Sequence, residues 1–130
     1  MQNLSAHVHT HDCSSHATSP HHGAGAGFCI EDSAVMAVLL SDGRVRTAAD
    51  IEAAFEAFDA NRRKRCQWLV ESSRFIGDAY EWRAPGLEDN FEKIEEEINR
   101  RNGIIGDFDV EKGCQAALQQ LEHVLNKPRL

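Results

Sequence analysis

The densest chemical signal in this chain lies between Ser19 and Leu40. Glycines stand at alternate positions, Gly23, Gly25 and Gly27, just after Pro20. An apolar run follows, with Glu31 and Asp32 near its start. Glycine removes the Cβ that blocks close contact and tolerates positive φ. A helix start then presents unpaired N–H groups and partial positive charge. Together these let a backbone approach a flat or anionic ligand. The pattern is not a dinucleotide fingerprint. Counted from Gly23, the third glycine falls on Phe28, and no adequate strand precedes it.

Three other groups could do chemistry. His7, His9 and His11 with Cys13 could gather on one side of a strand and bind zinc, nickel or copper. Without fixed supporting partners such tracts bind loosely, so an incidental polar face or tail is the preferred reading. Glu31 and Asp32 could form an acid/base pair. The better reading is two acids in the first turns of a helix, where they complement its dipole. Arg62, Arg63, Lys64 and Arg65 read as a solvated, ion-paired helix face rather than a nucleic-acid patch.

The elements that must position these residues are mostly helical. Leu4, Ala6, Val8 and Thr10 alternate with polar residues, which suggests one short strand near the start. Phe28 to Leu40 is apolar on nearly every side and reads as a buried helix. Ser41-Asp42-Gly43 ends it, with glycine as the expected C-terminal cap. Thr47 is a good N-cap, and Asp50 three residues on makes a near capping box. The helix it opens runs to about Tyr80, with Ile51, Phe55, Phe58, Cys66, Leu69, Ser73 and Ile76 as its apolar stripe. Its aromatics are expected to pack on the preceding helix, and Trp82 to Gly86 breaks it.

Leu87 to Arg101 reads as an acidic helix ended by Asn102-Gly103, with Asp89–Lys93, Glu96–Arg100 and Glu97–Arg101 as i,i+4 pairs. Asp109 can cap a last helix to about Leu125, whose stripe is Val110, Cys114, Ala117, Leu118, Leu121, Val124 and Leu125.

Composition bounds the function. A chain of 130 residues supports one domain with a modest core. The net charge of −7 argues against a nucleic-acid partner. The cysteines at 13, 29, 66 and 114 form no Cys-x-x-Cys pair, which argues against a zinc ribbon or a redox dithiol. No secretory signal and no membrane-length apolar run is found, so a reduced, soluble, cytoplasmic protein is expected.

One run resembles a known family. His16-Ala17-Thr18-Ser19-Pro20-His21-His22-Gly23-Ala24-Gly25, followed by Glu31-Asp32, is similar to the second FAD motif of the flavin-dependent aromatic hydroxylases, the salicylate hydroxylase branch above all. The likeness continues through the helix with Arg62 and Arg65 to Ile105-Gly106-Asp107-Phe108-Asp109-Val110. The resemblance implies a mainly α chain, the C-terminal helical fragment of an α/β hydroxylase fold. On that reading residues 1–16 are an atypical His-rich segment, 17–42 the flavin-contacting loop and buried helix, and 43–130 the C-terminal helical region.

The cofactor residues implied are Asp12, Pro20, His22, Gly23, Ala24, Gly25, Ala26 and Gly27, with Asp12 meeting the ribityl chain through a one-residue insertion. Backbone N–H groups of the loop would face N1 and the C2 carbonyl of the flavin, where charge gathers on reduction. His21 and His22 would line the loop, and His16 would be structural. No protein carboxylate need be catalytic, because the flavin does the chemistry.

Full-length family members hydroxylate a small aromatic ring with FAD, NAD(P)H and oxygen. The family's first FAD motif and middle sheet have no counterpart in this sequence. The chain is therefore expected to be inactive alone, with coding sequence for the remainder upstream of Met1. It is also expected to self-associate or to pair with a full-length relative. A non-enzymatic helical interaction module is the alternative.

Overall fold

A computed structural model describes residues 20–127 of the chain. The suggested strand, the His7–His9–His11–Cys13 group, Asp12 and His16 all lie outside the described residues. A 3-10 turn at Pro20–His22 leads into four helices: α1 (Gly25–Ser41), α2 (Ala48–Tyr80), α3 (Phe91–Gly106) and α4 (Val110–Leu125). Among the described residues there is no strand, and the mainly α expectation holds.

Helix α2 is the spine. Its 33 residues reach about 50 Å at 1.5 Å per residue. Its N-terminus carries the expected capping box: the Thr47 hydroxyl accepts from the Asp50 N–H, and the Asp50 carboxylate accepts from the Thr47 N–H. Asp109 caps α4 as expected, accepting from the Lys112 N–H at 3.0 Å.

The main core lies where α1, α4 and the first half of α2 meet. Val35, Leu39, Ala53, Ala54, Ala57, Ala117, Leu121 and Val124 form it. Here the expected α2 stripe is corrected. Ile51 is 43% exposed and Phe55 38%, while three alanines face inward. Residues 51, 55 and 58 and residues 53, 54 and 57 both have helical spacing. The alanines win because they let the backbones of three helices approach closely. Farther along, Cys66, Leu69, Ser73 and Ile76 are buried as the stripe predicts.

Helix α1, apolar on nearly every side, is buried along one stripe. Phe28, Glu31, Val35 and Leu39 face inward at three- and four-residue steps. Ile30 is 70% exposed and Leu40 43%. Within this chain α1 meets α2 and α4 on one side, so only that stripe is covered.

Two boundaries differ from expectation. Helix α3 starts at Phe91 because Asn90 caps it, its side chain accepting from the Lys93 N–H. Leu87 is buried in the turn before it. Helix α3 also runs past Asn102-Gly103 to Gly106, because Arg65 donates to the Ile104 and Ile105 carbonyls and satisfies its last turn. The Glu97–Arg101 pair forms at 3.0 Å, but Arg100 turns to Glu97 rather than Glu96. Gly43 is not the left-handed cap expected of it, since the positive-φ glycines are Gly23 and Gly86. The Asp42 N–H closes α1 on the Leu39 carbonyl instead.

Candidate functional site: a glycine turn held by α2 and α3

Pro20–His22 forms one tight turn, closed by the Gly23 N–H donating to the Pro20 carbonyl at 2.9 Å. Gly23 sits at φ +63, where any side chain would be strained. Ala24 then begins α1 without a side-chain cap. A Cβ added at Gly25 or Gly27 would meet no heavy atom within 4 Å. Packing among the described residues therefore requires neither glycine, although each weakens a helix by roughly 0.5–1 kcal/mol relative to alanine. The result is a turn of glycine and alanine alone leading into a helix start without a side-chain cap.

Two histidines hold this turn in place. The His21 ring packs over Gly77 of α2, where a Cβ would lie 2.7 Å from Nε2. The same ring stands 6.0 Å from that of Tyr80. His22 Nε2 lies 2.9 Å from the Ser72 hydroxyl of α2, and His22 Nδ1 lies 3.3 Å from Asn102 Oδ1 of α3. Burial lowers the His22 pKa; the Asn102 and Ser72 bonds raise it, Arg101 lowers it, and the balance falls below the ordinary value of 6.5. Arg101 donates to the Ser72 hydroxyl at 2.9 Å, bonds Glu97 at 3.0 Å and stacks 4.0 Å over Phe75.

Below the turn, an acid–arginine cluster joins α1 to α2. Arg62 donates to Glu31 and to Asp32, each at 2.6 Å. Arg65 grips both Glu31 oxygens at 2.8 Å. The Arg65 guanidinium stacks between Phe28 at 4.5 Å and Phe108 at 4.0 Å. Both expectations for these residues are corrected. Arg62 is 2% exposed, so it is no surface residue. Glu31 and Asp32 stand in the second turn of α1, beyond the reach of its terminal dipole, and pair across helices instead. Arg63 does behave as expected, pairing with Asp59 on the surface. Burial pushes the Glu31 carboxyl up, but the bonds from Arg65 and Arg62 outweigh it and hold it below its ordinary range.

An open groove of about 460 Å³ adjoins the cluster, lined by Arg62, Arg65, Phe108 and Lys112 among others. Among the described residues no group of His, Cys, Asp or Glu could hold a metal ion, and no helix is long and apolar enough to cross a membrane.

The structure thus gathers Pro20, His22, Gly23, Ala24, Gly25, Ala26 and Gly27 into one turn and helix start. Reading the sequence missed Ser72, Gly77, Arg101 and Asn102 as the residues that fix it. A glycine inside a strong helical pattern was the one available signal, and only for Gly77.

No protein-family profile matches the chain. Individual relatives do. An FAD-dependent monooxygenase of Aspergillus niger is 43% identical over 106 residues, 74% of this chain and 24% of that protein. An FAD-dependent monooxygenase of Aspergillus terreus is 43% identical over 112 residues, 83% of this chain and 26% of its own length. A salicylate hydroxylase of Sarocladium schorii is 42% identical over 112 residues, 74% of this chain and 23% of that protein. The chain thus spans about a quarter of the length of the relatives it matches. By these matches, the chain is homologous to a portion of the FAD-dependent monooxygenases, salicylate hydroxylase-like members included.

Proposed function

We propose that this chain supplies the flavin-facing turn and the C-terminal helical region of an FAD-dependent monooxygenase that hydroxylates a small aromatic substrate with NAD(P)H and oxygen. The observation that carries this reading is the pair Gly25 and Gly27. Two glycines that packing among the described residues does not require sit at an uncapped helix start, in a sequence 43% identical to an FAD-dependent monooxygenase.

FAD, when bound, supplies the electron transfer and the oxygen activation. The chain's own residues do the rest. The N–H groups at the start of α1 would face the pyrimidine edge of the flavin and stabilise negative charge there. Gly23, Ala24, Gly25, Ala26 and Gly27 would let the ring approach the backbone. Pro20 shapes the turn, and His22 contributes by holding it, since both ring nitrogens already meet protein partners. Asp12 would reach the ribityl chain. Arg62, Arg65, Glu31 and Asp32 set the angle of α1 against α2.

Walls that exclude water and hold a substrate against a flavin are not built by four helices alone, so the isolated chain is expected to be inactive. Flavin titration tests the reading. Alone, the chain should bind FAD more weakly than about 1 μM, near −8 kcal/mol. Co-expressed with the other three-quarters of a relative, it should yield a yellow protein that oxidises NAD(P)H with matching hydroxylated product. A second reading is a helical interaction module, favoured by the exposed Ile30, Trp82 and Phe91. A folded protein that stays colourless in both preparations supports that reading and overturns the first.

A further inference from the structure

We propose that the outer face of α1 is a docking surface for an apolar, uncharged wall of the monooxygenase portion that this chain does not match. Ala26, Ile30, Ser33, Ala37 and Leu40 recur at three- and four-residue steps on the side opposite Phe28, Glu31, Val35 and Leu39, and all five are exposed. None is charged, in a chain whose residues are 27% charged. Helix α1 does carry two acids, but Glu31 and Asp32 both turn inward to arginines of α2. The hydroxyls on its outer side are occupied as well. Ser33 donates to the Cys29 carbonyl at 2.7 Å, and Ser41 to the Ala37 carbonyl. The face therefore holds no hydroxyl or charged group that burial would strip of its partner, so protein can cover it without leaving a polar group unsatisfied.

A lipid surface suits this face poorly. Helices that lie on membranes carry Lys and Arg beside their apolar side, whereas α1 has neither and the chain has a net charge of −7. A second copy of the chain suits it poorly too. The 17 residues of α1 span about 26 Å, and a face about 10 Å wide then offers roughly 260 Å². A stable dimer buries about 800 Å² per partner. So small a face, made for burial, fits a covering surface that extends beyond it. The face runs on into Gly23 to Gly27, the stretch read above as facing flavin, and Ala26 belongs to both. The chain matches only 24% of one relative and 26% of another, which leaves about three-quarters of such a protein to cover both.

The docking face rests on the reading that this chain is part of such an enzyme, but its test reads capture and needs no flavin, so the two can fail separately. The full chain, tagged, is co-expressed with the remaining portion of a relative, and the captured amount is quantified by mass spectrometry. The parent chain and Ile30→Leu should capture it. Ile30→Glu and Ala37→Glu should capture at least about tenfold less, because a carboxylate buried without a partner is strongly disfavoured. Both positions are exposed in this chain, so each variant alone should keep the parent's circular dichroism and melting temperature. Gln119→Glu, an exposed change on α4, should capture as the parent does. A captured but colourless complex would defeat the flavin reading and uphold the docking face. The proposal is overturned if the parent chain captures nothing, if the two glutamate variants on α1 capture as well as the parent, or if Gln119→Glu loses as much. It is also overturned if those variants unfold the chain alone, since the face would then serve its own fold. A dimer of the chain alone that Ile30→Glu dissolves, or binding to phosphatidylserine vesicles that Ile30→Glu abolishes, would overturn it in favour of those occupants.

Discussion

Replacing Arg62 with methionine should destabilise the fold severely, although the side chain is a cation in a stretch that reads as surface. The residue is 2% exposed, and its guanidinium makes 2.6 Å bonds to Glu31 and Asp32. Methionine preserves most of the volume, so packing loss is small. What remains is a pair of carboxylates, with side chains 11% and 14% exposed, that lose a charged partner. Breaking a buried pair from one side costs about 3–5 kcal/mol. Glu31 keeps both Arg65 bonds, which places the expected loss near the lower end, about 3 kcal/mol. With an m-value of about 1.5 kcal/mol/M, the urea midpoint should fall by about 2 M.

The acid limb should change too. The Glu31 pKa is lowered in the fold, so the stability it contributes is present above its unfolded value near 4.5 and is lost as pH falls through the folded value. In Arg62→Met that loss should shrink. Adding Asp32→Asn should cost less in the Arg62→Met background than in the parent, by about 1 kcal/mol or more. Urea melts followed by circular dichroism measure all of this. The reasoning is refuted if Arg62→Met shifts the midpoint no more than Lys64→Met, an exposed change expected to fall within about 0.5 kcal/mol.

Gly27→Ala should stabilise the isolated chain by roughly 0.5–1 kcal/mol, because a Cβ there meets open space in a helix; a lowered melting temperature would contradict this. Gly77→Ala should displace the His21 ring, because a Cβ there would lie 2.7 Å from Nε2; an unmoved ring resonance would contradict this. Under native conditions Cys29, which is exposed, should be alkylated readily. Cys66, buried and with its thiol pushed up to about 11, should react only on unfolding, so equal labelling rates in the folded protein would refute the packing of α1 on α2.

Local rules in the sequence determined the helices. Thr47 with Asp50, and Asp109 before α4, mark helix starts because a cap is a contact between near neighbours. The glycine turn was legible for the same reason, as proline and spaced glycines dictate backbone shape where they stand. Its likeness to a flavin motif was legible with it. The tertiary structure alone decided which faces are inside. Alanines displaced Ile51 and Phe55 from the core because close helix contact selects size as well as hydrophobicity. It turned Arg62 and Arg65 from an apparent surface run into the clamp on Glu31 and Asp32, a pairing that spans 30 residues or more. It carried α3 past Gly103 because an arginine from α2 caps its final carbonyls. And it made His22 a link between the turn, Ser72 and Asn102, 50 and 80 residues away. Each of these depends on groups distant in sequence satisfying one another's charge or hydrogen bonds, and no periodicity records that.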